Sequence, residues 1–338
     1  MRHLGVDLHS NNLLVCYRSE KGEQRFAKFA LSQIDQFREQ LLPTDVVAVE
    51  ATATSRWFIK GIASLVSAVE VVNPRQFEVI ARSVKKTDRA DAANLAEFSS
   101  KLLLPTVRQK TDAQAEVQSL CALRTHLVEM RSALFNRMHS IVIASGRQET
   151  KRSVKSALGR RRLLAQSGWS VLEQVQLEII ARQIEAFDHS IVEAEEKIAD
   201  AGAQLSGYAN LLSIKGIGTS SAALFAAVIG EIGDFTDAGK LASYLGVVPK
   251  VSNSNQSIRH GRITKQGNKA ARTALVQCAL VASKFSAYLK QFYDSVKARR
   301  GSGKAKIALA RKFLTVIYHT LKHDWLFTDF PNFVKTEG

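Results

Sequence analysis

Residues 4–51 read LGVDLHSNNLLVCYRSEKGEQRFAKFALSQIDQFREQLLPTDVVAVEA, and this stretch decides the fold of the first third of the chain. LGVDL (4–8), LLVCY (13–17) and RFAKFAL (25–31) are short apolar runs separated by polar turns, which predicts a meander of three antiparallel strands. A helical segment is expected from Ser32 to Leu42. VVAVEA (46–51) and AVEVV (68–72) then read as buried strands, with a helical stretch from Ser55 to Val66 between them. Strand, helix, strand implies parallel pairing through a right-handed crossover.

Two of these strands carry acids. Asp7 stands in the middle of LGVDL and Glu50 near the end of VVAVEA. An ionised carboxylate inside a buried strand needs something to offset its desolvation, and a bound cation does so best. On adjacent strands the two would converge on one point, as hard Mg²⁺ with oxygen ligands requires. Further on, KKTDRADAANLAEF places Asp88 and Asp91 at i, i+3, on one face near a helix start. An N-terminal turn with Asp88 near the cap is the other reading of that pair. Together the four acids could hold two Mg²⁺ or Mn²⁺ ions, or one with help from the substrate, around a scissile phosphate. Lys85 and Lys86, just upstream, are placed to contact the strand being cut. Three antiparallel strands followed by two parallel ones with helices is the arrangement of an α/β domain of the ribonuclease H-like, RuvC-type fold, assigned to residues 1–108.

From 109 to 203 the chain is expected to be all-α. Leu120, Leu123, Leu127, Met130, Leu134 and Met138 step by three and four, as do Leu177, Ile180, Ile184, Phe187, Ile191 and Ile198. Each set is a heptad seam, readable as an intramolecular helical hairpin or as an intermolecular coiled coil. Between them, Arg147 to Arg162 holds seven basic residues and only Glu149 as an acid, a nucleic-acid-contacting tip with Arg152, Arg160 and Arg161 among its cations.

The third region, 204–338, is expected to be mainly α. LLSIKGIGTSSAALFAAVIG sets Lys215, Gly216 and Gly218 before an apolar helix, which fits either a helix-hairpin-helix phosphate contact or a simple helix-start turn. The loop PKVSNSNQSIRHGRITKQGN follows, with Arg259, Arg262, Lys265, Lys269 and Arg272 in or just after it as candidate phosphate contacts. In such a loop a serine could attack phosphorus while neighbouring cations stabilise the developing charge.

Composition agrees. The 338-residue chain has a net charge of +16, and between Lys250 and Lys312 fifteen Lys or Arg stand against one acid, Asp294. That asymmetry points to a polyanion. Three scattered cysteines exclude a zinc finger or disulfide framework and suit a reducing compartment. No apolar signal core or run of membrane-spanning length is present, so a cytoplasmic, nucleoid-associated protein is expected. An actin-like phosphotransferase also begins with a strand Asp, but phosphate-binding glycine loops are not found after the first strand.

Taken in order, GVDLHS, VAVEAT, KKTDRADAANLAE, SIKGIG, LASYLGVVP and GRITKQGNKAAR resemble the insertion-sequence-110 family of transposases, the RNA-guided DEDD recombinases, over almost the full chain. The resemblance implies a RuvC-like domain whose tetrad is Asp7, Glu50, Asp88 and Asp91. It implies a coiled-coil insertion used in assembly, and a C-terminal transposase domain with a nucleophilic serine. Counting from Pro249 to Gly261, the position that usually carries Ser followed by Gly falls on Ser254 and Asn255, and Asn also tolerates a left-handed turn. Ser252 and Ser257 are the alternatives. The implied reaction joins the serine to a DNA phosphate and later reverses, on donor and target DNA recognised through a structured guide RNA. The seams and the several strands to be handled predict a homodimer that pairs into a homotetramer. The competing reading is a metal-dependent resolvase with water as nucleophile.

Overall fold

Strand β1 (His3–Leu8) lies at the centre of a five-stranded sheet of order β3-β2-β1-β4-β5. It pairs antiparallel with β2 (Asn12–Arg18), which pairs antiparallel with β3 (Gln24–Ala30). On its other side it runs parallel to β4 (Val46–Glu50), and β4 parallel to β5 (Ala68–Val72). The computed structural model describes residues 1–74, 76–77, 87–254 and 257–333, with the backbone alone for 251–254 and 257–260. It divides into two compact units, Met1–Gln109 and Lys110–Gly338.

Both faces of the sheet are covered, which is why its strands read as continuous apolar runs. On one face Leu4, Val6, Leu13 and Val15 pack on Phe37 of α1 (Ile34–Arg38) and on Phe58 and Ile62 of α2 (Ser55–Ile62). Burying a ring such as Phe37 stabilises by roughly 1.5–3 kcal/mol. The opposite face, with Gly5, Cys16 and Ala48, lies under α3 (Asp88–Ser100). Gly5 permits that contact: a Cβ there would lie 2.0 Å from the Ala92 carbonyl oxygen and 2.5 Å from the Ala96 nitrogen. A side chain at position 5 would lift α3 away from the strand that carries Asp7. The cap of α3 is Thr87, whose hydroxyl accepts from Ala90 N, so Asp88 is the first helical residue and not the cap.

The second unit begins with an antiparallel hairpin of two 33-residue helices, α4 (Asp112–Ala144) and α7 (Val171–Ala203). Each opens with a capping box, Thr111 with Gln114 and Ser170 with Glu173. The α7 seam is the expected one: Leu177, Ile180, Ile184, Ile191 and Ile198 are buried and Phe187 is half-buried. The α4 seam is not. Its inward positions are Val117, Cys121, Met138 and Val142, with Arg124 paired to Glu195 and Arg131 to Asp188 in the middle rungs. Of the expected stripe Met138 is fully buried and the half-buried Leu120 and Leu134 pack against the cores at the two ends of the hairpin, whereas in the middle Leu123 is 50% exposed and Leu127 and Met130 are only half-buried. Guanidinium groups filling central rungs are invisible to a count of apolar periodicity.

Two short helices, α5 (Lys151–Lys155) and α6 (Ala157–Leu164), form the tip of the hairpin. At its other end Val117, Cys121 and Ile198 join the core of the C-terminal part, so the boundary expected at 203/204 falls inside one compact unit. The C-terminal elements are α8 (Tyr208–Ser213), α9 (Thr219–Ile229), α10 (Ala238–Tyr244), β6 (Pro249–Ser254), β7 (Ser257–Ile263), α11 (Lys269–Ala282) and α12 (Ala287–Lys322). Helix α9 is buried along its length from Ala222 to Ile229 and forms the centre of this core. Helix α12 breaks at Gly301, where φ is 78° and ψ 164°. Pro249–Ser254 and Ser257–Ile263, expected as parts of a loop, are instead the two strands of an antiparallel ribbon. Ser, Asn and Gln have little strand preference, which hid the pairing. All three cysteines are buried and free, with burial pushing the Cys16 thiol up to about 11. No described helix is long and apolar enough to cross a membrane.

Candidate active site and nucleic-acid surface

Parallel pairing sets Gly5 opposite Ala48 and Val6 opposite Val49. Asp7 and Glu50 come next in each strand, at neighbouring carboxyl ends and on the face that α3 covers. Ligand sites in open α/β sheets form at such strand ends. Helix α3 starts there, with Asp88 in its first position and Asp91 one turn on. The Asp7 carboxylate accepts from His9 Nε2 at 3.0 Å, and the same nitrogen lies 3.6 Å from Asp88 Oδ2. Ligand atoms of Asp7, His9 and Asp88 all fall within 4.8 Å of one another. Glu50 and Asp91 border this group without belonging to it.

Burial raises the pKa of Asp7, His9 opposes the rise, and the negative charges of Asp88 and Asp91 add to it. A cluster of mutually repelling carboxylates with an imidazole beside them has the donor chemistry of a divalent-cation site. Sequence reasoning missed His9. The signal was present in GVDLHS, a metal-compatible side chain two residues after a strand acid. Lys85 and Lys86 lie outside the described residues.

The ribbon places Ser254 at the end of β6, opposite Ser257, with Ser252 opposite Arg259. By strand alternation these four register positions fall on one face and Asn253 and Ile258 on the other. The side chains of all three candidate serines and of Arg259 are outside the description, and so is Asn255 altogether.

Around the ribbon, Arg262, Lys265 and Lys269 are exposed, as is Lys215 in the turn between α8 and α9. In that turn Gly216 has φ 105° and packs against Ala282, while Gly218 caps α9 with open space beside it. Arg272 is half-buried and donates to the carbonyls of Leu245 (3.2 Å) and Gln266 (2.9 Å), which fastens the loop leading into α11. At the hairpin tip Arg152 and Arg161 are exposed. Arg160, expected to contact nucleic acid, is a correction. It is 4% exposed, donates to the carbonyls of Val154 and Lys155, and pairs with Asp188. Asp188, far along the chain, could not be foreseen as its partner.

Residues 4–144 match the DEDD_Tnp_IS110 transposase model, and residues 208–294 match the Transposase IS116/IS110/IS902 family. The chain is similar to the transposase for insertion sequence element IS1111A of Coxiella burnetii, 25% identical over 94% of this chain and 89% of that protein. It is 26% identical to a probable family 20 transposase of Pseudomonas aeruginosa, over 95% of this chain and 93% of that one. A pilin gene-inverting protein of Moraxella bovis is also 26% identical, over 95% and 96% of the two chains. The first family match contains the carboxylate cluster, the second contains the serine ribbon, and together they span more than half of the sequence: the chain belongs to the IS116/IS110/IS902 family of transposases.

Proposed function

We propose that this transposase cuts and rejoins DNA through a serine nucleophile, Ser254, aided by a carboxylate site that holds Mg²⁺ or Mn²⁺. The observation that carries the reading is the convergence of Asp7, His9 and Asp88 at the strand ends, with Glu50 and Asp91 at its border. Asp7, Glu50, Asp88 and Asp91 would hold the cation, with His9 orienting Asp7. Bound there, a divalent ion supplies charge stabilisation to a scissile phosphate. The Ser254 hydroxyl loses its proton and attacks phosphorus; a serine–phosphate bond forms, the bond to the departing strand breaks, and that strand leaves as a protonated hydroxyl. Attack by another strand's hydroxyl reverses the step and frees the serine. Arg259, Arg262, Lys265 and Lys269 hold the flanking phosphates. The Moraxella relative is named for inverting a pilin gene, and inversion and transposition both require cutting and rejoining.

Target choice in this reading belongs to a structured RNA that base-pairs with donor and target DNA, for which the basic surplus provides a surface. Sequencing the RNA that copurifies with the protein from its native host tests this. One abundant structured RNA, encoded beside the gene, is the expected result. Recovery of ribosomal and transfer RNA alone, at cellular proportions, would overturn it.

The working assembly is a dimer that pairs into a tetramer on DNA, using the half-exposed stripe of Leu123, Leu127 and Met130 on α4. Two substitutions separate assembly from folding. Ile184→Asp puts a charge into the closed seam of the hairpin and lowers the melting temperature, whereas Leu127→Asp, off that seam, leaves melting nearly unchanged and yields smaller particles by light scattering. Wild-type protein that stays monomeric on nucleic acid would refute the assembly.

A further inference from the structure

At the carboxyl end of α12 three rings lie nearly parallel. His319 and His323 are stacked with centroids 5.8 Å apart and planes 3° apart, and His323 and Trp325 at 4.9 Å and 19°. His319 and Trp325 are 6.4 Å and 20° apart. The stack is not a core feature: Trp325 is 49% exposed and His323 is exposed, while Phe330 nearby is fully buried.

The fold nevertheless fixes it firmly. Asp324 turns the chain at φ 53°. Trp325 N donates to the Thr320 carbonyl at 2.9 Å. Asn210, only 7% exposed, donates from Nδ2 to Asp324 Oδ1 at 2.8 Å and to the Trp325 carbonyl at 3.0 Å. One step further, Phe327 N donates to Ser213 Oγ. A buried amide and a left-handed residue thus hold an indole half in water.

We propose that these rings form a platform on which an unpaired nucleobase stacks. Every base has a π-face, and in a duplex that face is already covered by its neighbours. Charge supports this occupant. Arg311, Thr315, His319 and Lys322 follow one another along one side of α12, with Arg311 and Lys322 exposed, so cations that can track a phosphate backbone adjoin the rings. Asp324, the acid between His323 and Trp325 in the chain, accepts from Asn210 Nδ2. The proposal rests on the reading above that this unit handles nucleic acid. It adds a site for single strands, of RNA or DNA, that neither the carboxylates nor the serine ribbon supplies.

The chain has three tryptophans, so a full-length protein carrying Trp57→Phe and Trp169→Phe reports on Trp325 alone. Short oligo-uridine and oligo-deoxyuridine, which carry the same base, should quench its fluorescence, and whichever binds more tightly identifies the preferred sugar. An abasic oligomer of equal charge should leave it unquenched. In the otherwise native protein, Trp325→Leu should weaken binding of the preferred oligomer roughly 10-fold, with abasic binding and melting temperature unchanged. Equal affinity for base-bearing and abasic strands, or native binding by Trp325→Leu, would overturn the platform while leaving the nucleic-acid reading intact. No binding of any strand at low salt would overturn both.

Discussion

Asp7→Asn protein is expected to bind DNA as the native protein does and to cleave it on the order of 10³-fold more slowly, the scale of losing one preorganised stabilising charge. The amide matches the carboxylate in shape, so β1 and its packing against α3 are kept and only the charge is lost. Glu50→Gln should behave likewise, from the neighbouring strand end. Stability gives an independent readout with the opposite sign. Asp7 has a pKa raised by burial and by Asp88 and Asp91, so its folded state holds a proton more tightly than the unfolded chain does. Its charge therefore destabilises the fold at pH above the folded pKa, and the penalty fades as pH falls through that value. In EDTA near neutral pH, Asp7→Asn should then melt at or above the native temperature. Adding Mg²⁺ or Mn²⁺ should raise the melting temperature of the native protein and not of the variant, because only a state that binds a ligand is stabilised by it. Strand cleavage that persists in EDTA, or a cation shift that survives Asp7→Asn, would sink the carboxylate site.

What the sequence revealed depended on whether the informative contacts were local. The five strands were legible because a two-sided sheet forces continuous apolar runs, and Asp7 and Glu50 stood out as interruptions of them. Thr87, one residue before Asp88, was hidden because both Asp and Thr serve as helix caps and Asp is the more favoured of the two. Long-range pairing was not legible. Arg124 and Arg131 reach Glu195 and Asp188 across the hairpin and so occupy α4 rungs that a hydrophobic count assigns to leucine. Arg160 was misplaced for the same reason, since its destination depends on Asp188. The ribbon of β6 and β7 was missed because most of its residues are polar and carry no apolar alternation. Its discovery alters how the serine can be tested: Ser252, Ser254 and Ser257 share a face by register and are not separated by the backbone.

Chemistry can separate them. A suicide substrate whose released strand is too short to stay annealed leaves no hydroxyl to reverse the attack, so native protein should accumulate as a covalent DNA adduct through a phosphoserine. Ser254→Ala should abolish both adduct and recombination, while Ser252→Ala and Ser257→Ala should at most slow them. Alanine removes one oxygen from a two-stranded ribbon and leaves its backbone ladder intact, so misfolding does not explain such a difference. Binding should survive in all three variants with its salt dependence unchanged, because Arg262, Lys265 and Lys269 are exposed and still meet the phosphates. A resolvase using water predicts the reverse: continued cutting by Ser254→Ala, a free phosphate on the cut end, and no adduct. An adduct mapped by peptide mass spectrometry to Ser252 or Ser257 would move the nucleophile along the same face of the ribbon, and one mapped elsewhere would remove it from the ribbon. The expected loss is near-total, because the bond that carries the strand from cleavage to rejoining is made by that one oxygen.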